Sequence, residues 1–215
     1  MPHPKTILIL SCAVLLLFVS CNSNDPKKTT NTAKDTTAVK KAMKTEPKIH
    51  TRNEKPPIIN IVDTVAPKRI VVYMKDSAAT TERISIKLGQ IYGVKLLEVF
   101  KKNGLKATGP PMAWYTTQKP PFFFEAGIPV NKKPGKPTPG VNVKELGADS
   151  VAVAHFYGPY DLLHVGYDAL REWMKDHQRR ATDAPYEIYI TDPLDKKGKP
   201  VDPYKIQTDI VFPKK

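Results

Sequence analysis

The residues best suited to chemistry lie in a short β-prone segment, residues 185–191, with the sequence Pro-Tyr-Glu-Ile-Tyr-Ile-Thr. Glu187 and Tyr189 are two positions apart, so in a β-strand their side chains point to the same face. A carboxylate among aromatic rings attracts a cation, and when burial raises its pKa it can act as a general base. The segment therefore predicts a site around Glu187, with a solvated strand glutamate as the ordinary alternative.

Two stretches of the chain, residues 69–130 and 151–212, share the same order of elements, which is strand, helix, strand, strand. A shift of 74 residues places Tyr115 on Tyr189. The repeat predicts an α+β fold, a tandem βαββ unit with pseudo-two-fold symmetry. We expect a curved antiparallel sheet with both helices on one face and a ligand groove on the other.

Strand alternation sorts residues 185–191 onto the two faces of this sheet. The face predicted to pack against the helices carries Tyr186, Ile188 and Ile190. The face predicted to line the groove carries Glu187, Tyr189 and Thr191. Their partners from the other copy are Ala113 and Tyr115. For the two tyrosines, ordinary cross-strand packing is the alternative.

Three further aromatic residues are candidates for the groove. Tyr157 and Tyr160 flank a Gly-Pro turn and would line the mouth of the groove. Residues 122–124 are all phenylalanine, and alternation would place Phe123 in the groove with its two neighbours buried.

The first 21 residues predict an export signal. Lys5 precedes an apolar run, residues 6–19, which is shorter than the ~20 residues of a comfortable bilayer span. The run ends Phe-Val-Ser-Cys, which resembles the lipobox of bacterial lipoproteins, although that motif usually begins with Leu. The resemblance implies a diacylglycerol on the thiol of Cys21 and a place in the cell envelope, at the outer membrane or the periplasmic face. A simple signal peptide and an uncleaved anchor are the alternatives.

Residues 22–66 are rich in Lys, Thr, Asn, Asp and Pro and predict a disordered basic linker in front of a folded domain, residues 67–215. Within it, the apolar residues 58–62 either pack as an edge strand or lie extended against the domain. The net charge is +13, and many of the lysines fall in this linker. We therefore interpret the charge as that of a basic tether. Because the sequence contains no zinc-finger spacing and no recognisable DNA-reading helix, no nucleic-acid partner is expected.

The remaining reactive residues are few. Cys12 and Cys21 both lie in the signal, so no disulfide and no thiolate metal site is expected in the folded domain. The histidines are scattered at spacings that do not suit shared metal ligation. The sequence predicts no metal and no cofactor.

Three segments of the second copy, HFYGPYDLLHVGYDALREWM, APYEIYITDP and TDIVFP, resemble the GyrI-like or AraC-type effector-binding domain, which is related to the SOUL proteins. The resemblance covers residues 68–213 and is weaker in the first copy. It implies a tandem βαββ fold that binds small, often hydrophobic or cationic molecules, with the glutamate that matches Glu187 facing the ligand. Some members are drug-sensing regulators and some hydrolyse cyclopropane-containing compounds. No helix-turn-helix precedes the domain here.

These observations lead to three functional hypotheses. The first is a lipid-anchored, extracytoplasmic protein that binds small hydrophobic molecules, with or without a positive charge, in the central groove. The second is a hydrolase of reactive electrophiles, in which Glu187 orients water and Tyr189 or Tyr115 acts as the acid. The third is an envelope protein-interaction module without a ligand.

Overall fold

The computed structural model describes residues 55–117 and 119–215, so the predicted signal, Cys21 and the linker up to residue 54 lie outside the described residues. The described part forms a sheet of eight strands: Ile58–Val65 (β1), Arg69–Ala78 (β2), Met112–Tyr115 (β3), Phe122–Val130 (β4), Val141–Leu146 (β5), Ser150–Tyr157 (β6), Tyr186–Tyr189 (β7) and Gln207–Pro213 (β8). The α-helices are Thr81–Gln90 (α1), Leu96–Asn103 (α2) and Leu163–Asp176 (α3). A π-helical turn, Ile91–Lys95, joins α1 to α2, and short 3₁₀ turns span Tyr160–Leu162 and Pro203–Lys205.

The strands follow the order β1-β6-β8-β7-β3-β4-β2-β5, and all pairs are antiparallel. One copy of the repeat supplies β2, β3 and β4, and the other supplies β6, β7 and β8. The central strands β3 and β7 pair so that Ala113 lies opposite Glu187, its mate in the repeat. The pseudo-two-fold axis therefore passes between these two residues. The predicted α+β fold with a curved antiparallel sheet is confirmed.

The first helical segment begins and ends at residues that the sequence favours. The Thr80 side chain accepts a hydrogen bond of 3.3 Å from the backbone N–H of Arg83, as an N-cap does. Gly104 closes the segment with a left-handed φ of 58°, which glycine adopts without steric cost. In between, the π-helical turn accommodates an extra residue and changes the phase of the buried face. No helix of the described residues has the length and apolar character needed to span a membrane.

Both faces of the sheet carry hydrophobic clusters. On one face, α1, the π-helical turn and α2 pack over β2 and β4, while α3 packs over β6 and β8. The two central strands, β3 and β7, lie between these helix-covered areas. Side chains from the helical segments on both sides cover their helix-facing residues. The opposite face carries its own buried cluster, which includes Trp114, Tyr186 and Ile188.

Strand β1 lies within the predicted linker, where an edge strand at residues 58–62 was one of the two alternatives, and the structure contains that strand. All eight residues of Ile58–Val65 pair with β6 at the edge of the sheet. Ile59 and Ile61 pack against the cluster beneath α3, which gives the strand an apolar face despite its polar neighbours. The compact unit from Thr51 to Lys215 contains the whole sheet and all three clusters of the described residues.

Alanine substitutions at two helical glycines are expected to change the free energy of unfolding in opposite directions. A β-carbon at Gly166 would lie 2.6 Å from Ile210 Cδ1 and 3.1 Å from Phe156 Cδ2, both in fully buried side chains, whereas one at Gly89 meets nothing within 4 Å. We expect Gly166→Ala to lower the free energy of unfolding by about 1–3 kcal/mol through overpacking. Gly89→Ala should raise it by up to about 1 kcal/mol, because alanine favours the helix. Urea denaturation of the two variants measures both, and equal effects would contradict this account of α3 packing.

Candidate functional site

Glu187 lies on the helix face of the sheet, which corrects the prediction that it points away from the helices. Tyr167 of α3 donates a hydrogen bond of 2.9 Å to Glu187 Oε1. Ile210, directly opposite on β8, belongs to the cluster packed beneath α3. Tyr186 and Ile188 instead face the helix-free side, where they pack with that face's own cluster. The prediction was wrong because both faces are apolar, so alternation alone could not tell which one the helices cover.

A chain of phenols ends at the Glu187 carboxylate. Tyr189 donates a hydrogen bond of 2.8 Å to Oε2, so each carboxylate oxygen receives one tyrosine hydroxyl. Tyr115 and Tyr189 have hydroxyl oxygens 2.9 Å apart. Because the single hydroxyl proton of Tyr189 is directed to the carboxylate, Tyr115 is the donor in this bond. The two tyrosines related by the 74-residue shift thus meet across the pseudo-two-fold axis.

Two more tyrosines complete what we call the tyrosine cluster, which comprises Tyr92, Tyr115, Tyr160, Tyr167 and Tyr189. Tyr92, in the π-helical turn, donates a hydrogen bond of 2.8 Å to the carbonyl oxygen of Met112, and its ring centroid lies 6.3 Å from that of Tyr189. Tyr160 meets the Tyr189 ring edge-on at 6.2 Å. Tyr160 is 39% exposed, whereas Glu187 is 5% exposed. The cluster therefore runs from the surface to a buried carboxylate.

Burial sets the electrostatics of this site. Loss of water raises the pKa of Glu187 to about 6, although the hydrogen bonds from Tyr189 and Tyr167 act in the opposite direction. Burial and the nearby carboxylate together raise the pKa of Tyr160 to about 12, so the phenols stay neutral donors. Within residues 55–117 and 119–215, no lysine or arginine forms an ion pair with Glu187. Among the described residues, the hydrogen bonds to the carboxylate come from neutral phenols, and the guanidinium of Arg171 lies over the Tyr167 ring, 5.6 Å from its centroid.

The repeat is asymmetric at this site. The same shift of 74 aligns two fully buried helical leucines, Leu96 and Leu170, so it holds through this part of the helices. It also aligns Tyr167 with Gly93, around which a β-carbon would meet nothing within 4 Å. The strand residue on that side is Ala113, in place of the glutamate. One half therefore supplies a phenol and a carboxylate, while the other supplies two small residues, of which Ala113 is fully buried and Gly93 is open.

The other predicted groove residues lie elsewhere. Tyr157 donates a hydrogen bond of 3.0 Å to Gln207 Oε1 on the helix-free face. Phe123 is 49% exposed, and it is the adjacent Phe124 whose ring lies 6.1 Å from that of Tyr115. The structure thus brings together four of the predicted residues, Glu187, Tyr189, Tyr115 and Tyr160.

Sequence reasoning missed two members of the cluster. Tyr167 fits the helical period of the buried face of α3, but Glu187, its partner on the sheet, was predicted to lie on the opposite side. Tyr92 lies in the π-helical turn, whose changed phase hides it from a regular helical pattern. Comparison of the two copies could have identified Tyr167, because the shift of 74 aligns it with Gly93. A phenol that is present in one copy and absent from the other is a candidate for a role specific to that copy.

The helix-free face has a concavity of its own, with a volume of about 240 Å³. Its walls include Trp114 and Tyr186, whose ring centroids lie 5.4 Å apart, and its rim includes Asp149 and Asp183. Glu187 does not line it. In the described part of the chain, no group of three or more His, Cys, Asp or Glu side chains is placed to hold a metal ion.

The raised pKa of Glu187 predicts a pH dependence of stability. The folded state holds the proton of Glu187 more tightly than the unfolded state does, so protonation of this residue stabilises the fold. This stabilisation is complete below pH 4.5 and is lost as the pH rises through about 6. The free energy of unfolding should therefore fall by about 2 kcal/mol across this window. Urea denaturation gives the free energy of unfolding of the wild type and of Glu187→Gln at each pH. The difference between the two isolates the contribution of Glu187 from that of the other acidic residues. A difference between the two that does not vary with pH would contradict the assignment.

Comparison with solved structures finds the same fold. The crystal structure of the EcmrR C-terminal domain superposes with a TM-score of 0.60 at 24% identity, covering 74% of this chain and 98% of that one. EcmrR in a cryo-EM complex with DNA gives a TM-score of 0.61 at 25% identity over 73% of this chain, and the match spans 57% of the length of that chain. An uncharacterized conserved protein from Listeria innocua gives 0.52 at 11% identity, covering 73% and 92% of the two chains.

A search of curated proteins finds no match to this sequence. Family comparison does find one: residues 66–215 match the GyrI-like small molecule binding domain. The match includes both copies of the repeat and every member of the tyrosine cluster. Because it covers more than half of the chain, the protein belongs to the GyrI-like small molecule binding domain family.

Proposed function

We propose that this domain binds hydrophobic organic cations over the tyrosine cluster, between the two helix-covered areas of the sheet. The observation that carries the proposal is the buried Glu187 carboxylate, which has two phenol donors and no cationic partner among the described residues. A buried carboxylate is normally paired with a cation, because its loss of hydration is otherwise poorly compensated. A bound organic cation would supply the missing positive charge.

The phenols have separate roles in this proposal. The hydroxyls of Tyr167 and Tyr189 are occupied by the carboxylate, so these residues offer their rings to a ligand. Aromatic faces attract cations and bury apolar groups at the same time. Tyr160, the exposed member, stands where a ligand would enter. A β-carbon at Gly93, the residue aligned with Tyr167, would meet nothing within 4 Å, and the proposed ligand would use this space.

A hydrolase is a second candidate, and one observation favours it. With a pKa of about 6, Glu187 is mostly ionised near neutral pH, so its carboxylate can take a proton from water, and the hydroxyl of Tyr189 lies 2.8 Å from it. The substrate class would be reactive electrophiles such as strained cyclopropanes. Turnover of such a compound that disappears in Glu187→Gln would favour the hydrolase, whereas binding without turnover favours the binding protein.

We further propose that the domain is extracytoplasmic and lipid-anchored through Cys21. The support is the signal-like N-terminus and the lipobox-like Phe-Val-Ser-Cys sequence. The relatives of known structure do not bear on this point, and the DNA in the EcmrR complex is a property of that protein. A ligand-binding domain on a tether would place its site in the cell envelope.

The anchor is tested by metabolic labelling of the full chain with a fatty-acid analogue in a bacterial host. We expect the wild type to be labelled and membrane-associated, and Cys21→Ser to lose the label. Cys12→Ser is the matched control, because this cysteine lies inside the apolar run and should not affect lipidation. Labelling that persists in Cys21→Ser would contradict the proposal.

The ligand class is tested with two ions of similar size and opposite charge, tetraphenylphosphonium and tetraphenylborate. We expect calorimetry to detect binding of the cation and much weaker binding of the anion. Glu187→Gln should weaken cation binding by about thirtyfold, equivalent to ~2 kcal/mol, because the buried charge is removed. Equal affinity for both ions, or an unchanged affinity in the variant, would overturn the role of the carboxylate.

The position of the ligand is tested by filling the open space. Gly93→Leu should weaken cation binding without unfolding the protein, because an added β-carbon meets nothing within 4 Å. Gly89→Leu is the matched control, since this glycine is one turn earlier and equally open. If both variants bind the cation as the wild type does, the ligand does not occupy the space beside Gly93.

A further inference from the structure

The folded part of the chain carries more of the positive charge than the sequence interpretation assigned to it. Residues 55–215 contain 25 Lys and Arg against 17 Asp and Glu, a difference of +8 out of the total of +13. The tether therefore accounts for the smaller share. The question is whether the charge of the domain is spread evenly or gathered on one surface.

Six exposed lysines come from two segments that the fold brings together. We call them the lysine cluster: Lys101, Lys102, Lys106, Lys132, Lys133 and Lys136. The backbone N–H of Lys106 donates to Asn131 Oδ1 at 2.9 Å, and Asn131 N–H donates back to the carbonyl of Lys106 at 3.1 Å. The N–H of Lys136 donates to Asn103 Oδ1 at 2.9 Å. These bonds fasten the lysine-rich loop after β4 to the end of α2.

In the described structure, two acidic residues accompany the six lysines, Glu145 and Glu98, which is one turn before Lys102 on α2, so the positive charges stay in excess. Of the six lysines, only Lys133 forms an ion pair within the described residues, with Glu145. Lys101 and Lys102 are in the last turn of α2, where the helix dipole favours a cation, so helix stability explains these two. It does not explain the other four. An array of like charges held together by the backbone is unfavourable by itself and suits an anionic partner.

Apolar side chains accompany the cluster on the same helical segment. Val94 is 56% exposed and Leu97 is 44% exposed. Leu97 is one turn before Lys101, so an apolar and a basic side chain are neighbours on the helix surface. Nucleic acid presents phosphates but offers little to exposed aliphatic groups. A bilayer with anionic headgroups accommodates both, since lysines reach phosphates while aliphatic side chains enter the acyl boundary.

We infer that the lysine cluster, together with Val94 and Leu97, is a docking surface for an anionic lipid bilayer. This surface is separate from the Glu187 site and does not depend on the ligand proposed for it. It belongs to the domain itself, so it would act in addition to a lipid anchor. Docking would hold α2 against the headgroups.

The test uses the compact unit, residues 51–215, which lacks Cys21 and the apolar N-terminal run. Its partition is measured by flotation with vesicles of mixed phosphatidylglycerol and phosphatidylcholine, and with vesicles of phosphatidylcholine alone. We expect binding to the anionic vesicles that weakens in high salt. The triple variant Lys132→Gln, Lys133→Gln, Lys136→Gln should lower the partition coefficient by roughly a hundredfold, or about fivefold for each lysine.

A matched control removes three lysines from another loop. Lys196, Lys197 and Lys199 share their loop with Asp192, Asp195 and Asp202, so the local field is nearly balanced. Their replacement by Gln changes the net charge equally and should lower the partition coefficient far less. An equal loss in both triple variants would show a response to net charge alone and would overturn the assignment to the lysine cluster.

The apolar contribution has its own readout. Leu97→Ser should weaken vesicle binding by a factor that persists in high salt, because acyl contact is not screened. Binding to duplex DNA with none to anionic vesicles would overturn the proposal in favour of a nucleic-acid surface. Absence of vesicle binding would also overturn it, and the calorimetric experiment with tetraphenylphosphonium would be unaffected in either case.

Discussion

The structure around the site depends on one buried carboxylate. Glu187 is on the central strand β7, next to the pseudo-two-fold axis, and its two oxygens are held by phenols from α3 and from its own strand. Without these donors the charge would lose its hydration and gain nothing in return. The phenols in turn are fixed by what surrounds them: Tyr189 by Tyr115 from the other copy, and Tyr167 by the packing of α3. Each layer of the fold therefore contributes to the position of a single functional group.

The pKa of Glu187 is set by two opposing effects, the loss of hydration on burial and the hydrogen bonds from the two phenols. Desolvation disfavours the ionised form, the two phenols favour it, and the outcome is a group that changes charge near pH 6. Stronger pairing with a lysine or arginine would have fixed the charge and occupied the space. Neutral donors leave the carboxylate able to respond to a charged ligand, which is what the proposed function requires.

The elements of the fold were predictable because their signals are local. Thr80 and Gly104 mark the ends of the first helical segment through cap geometry, and the pairing of Tyr115 with Tyr189 follows from a simple shift between the copies. The face that carries Glu187 was not predictable by alternation. Trp114, Tyr186 and Ile188 form a buried cluster without helices, so apolar residues do not mark the helix side. Which face of the sheet the helices cover is decided by the packing of whole layers, and the sequence of one strand does not contain that information.

The pairing of Ala113 with Glu187 has a consequence for how such a site can arise. If two separate but identical βαββ units assembled with true two-fold symmetry, each would place the same residue at the axis. Two glutamates would then be direct cross-strand neighbours on one face, an arrangement that like charges destabilise. Joining the units in a single chain removes this constraint, since each copy can change alone. Covalent duplication therefore permits one negative charge at the axis, and the proposed cation site would then take one ligand for each chain.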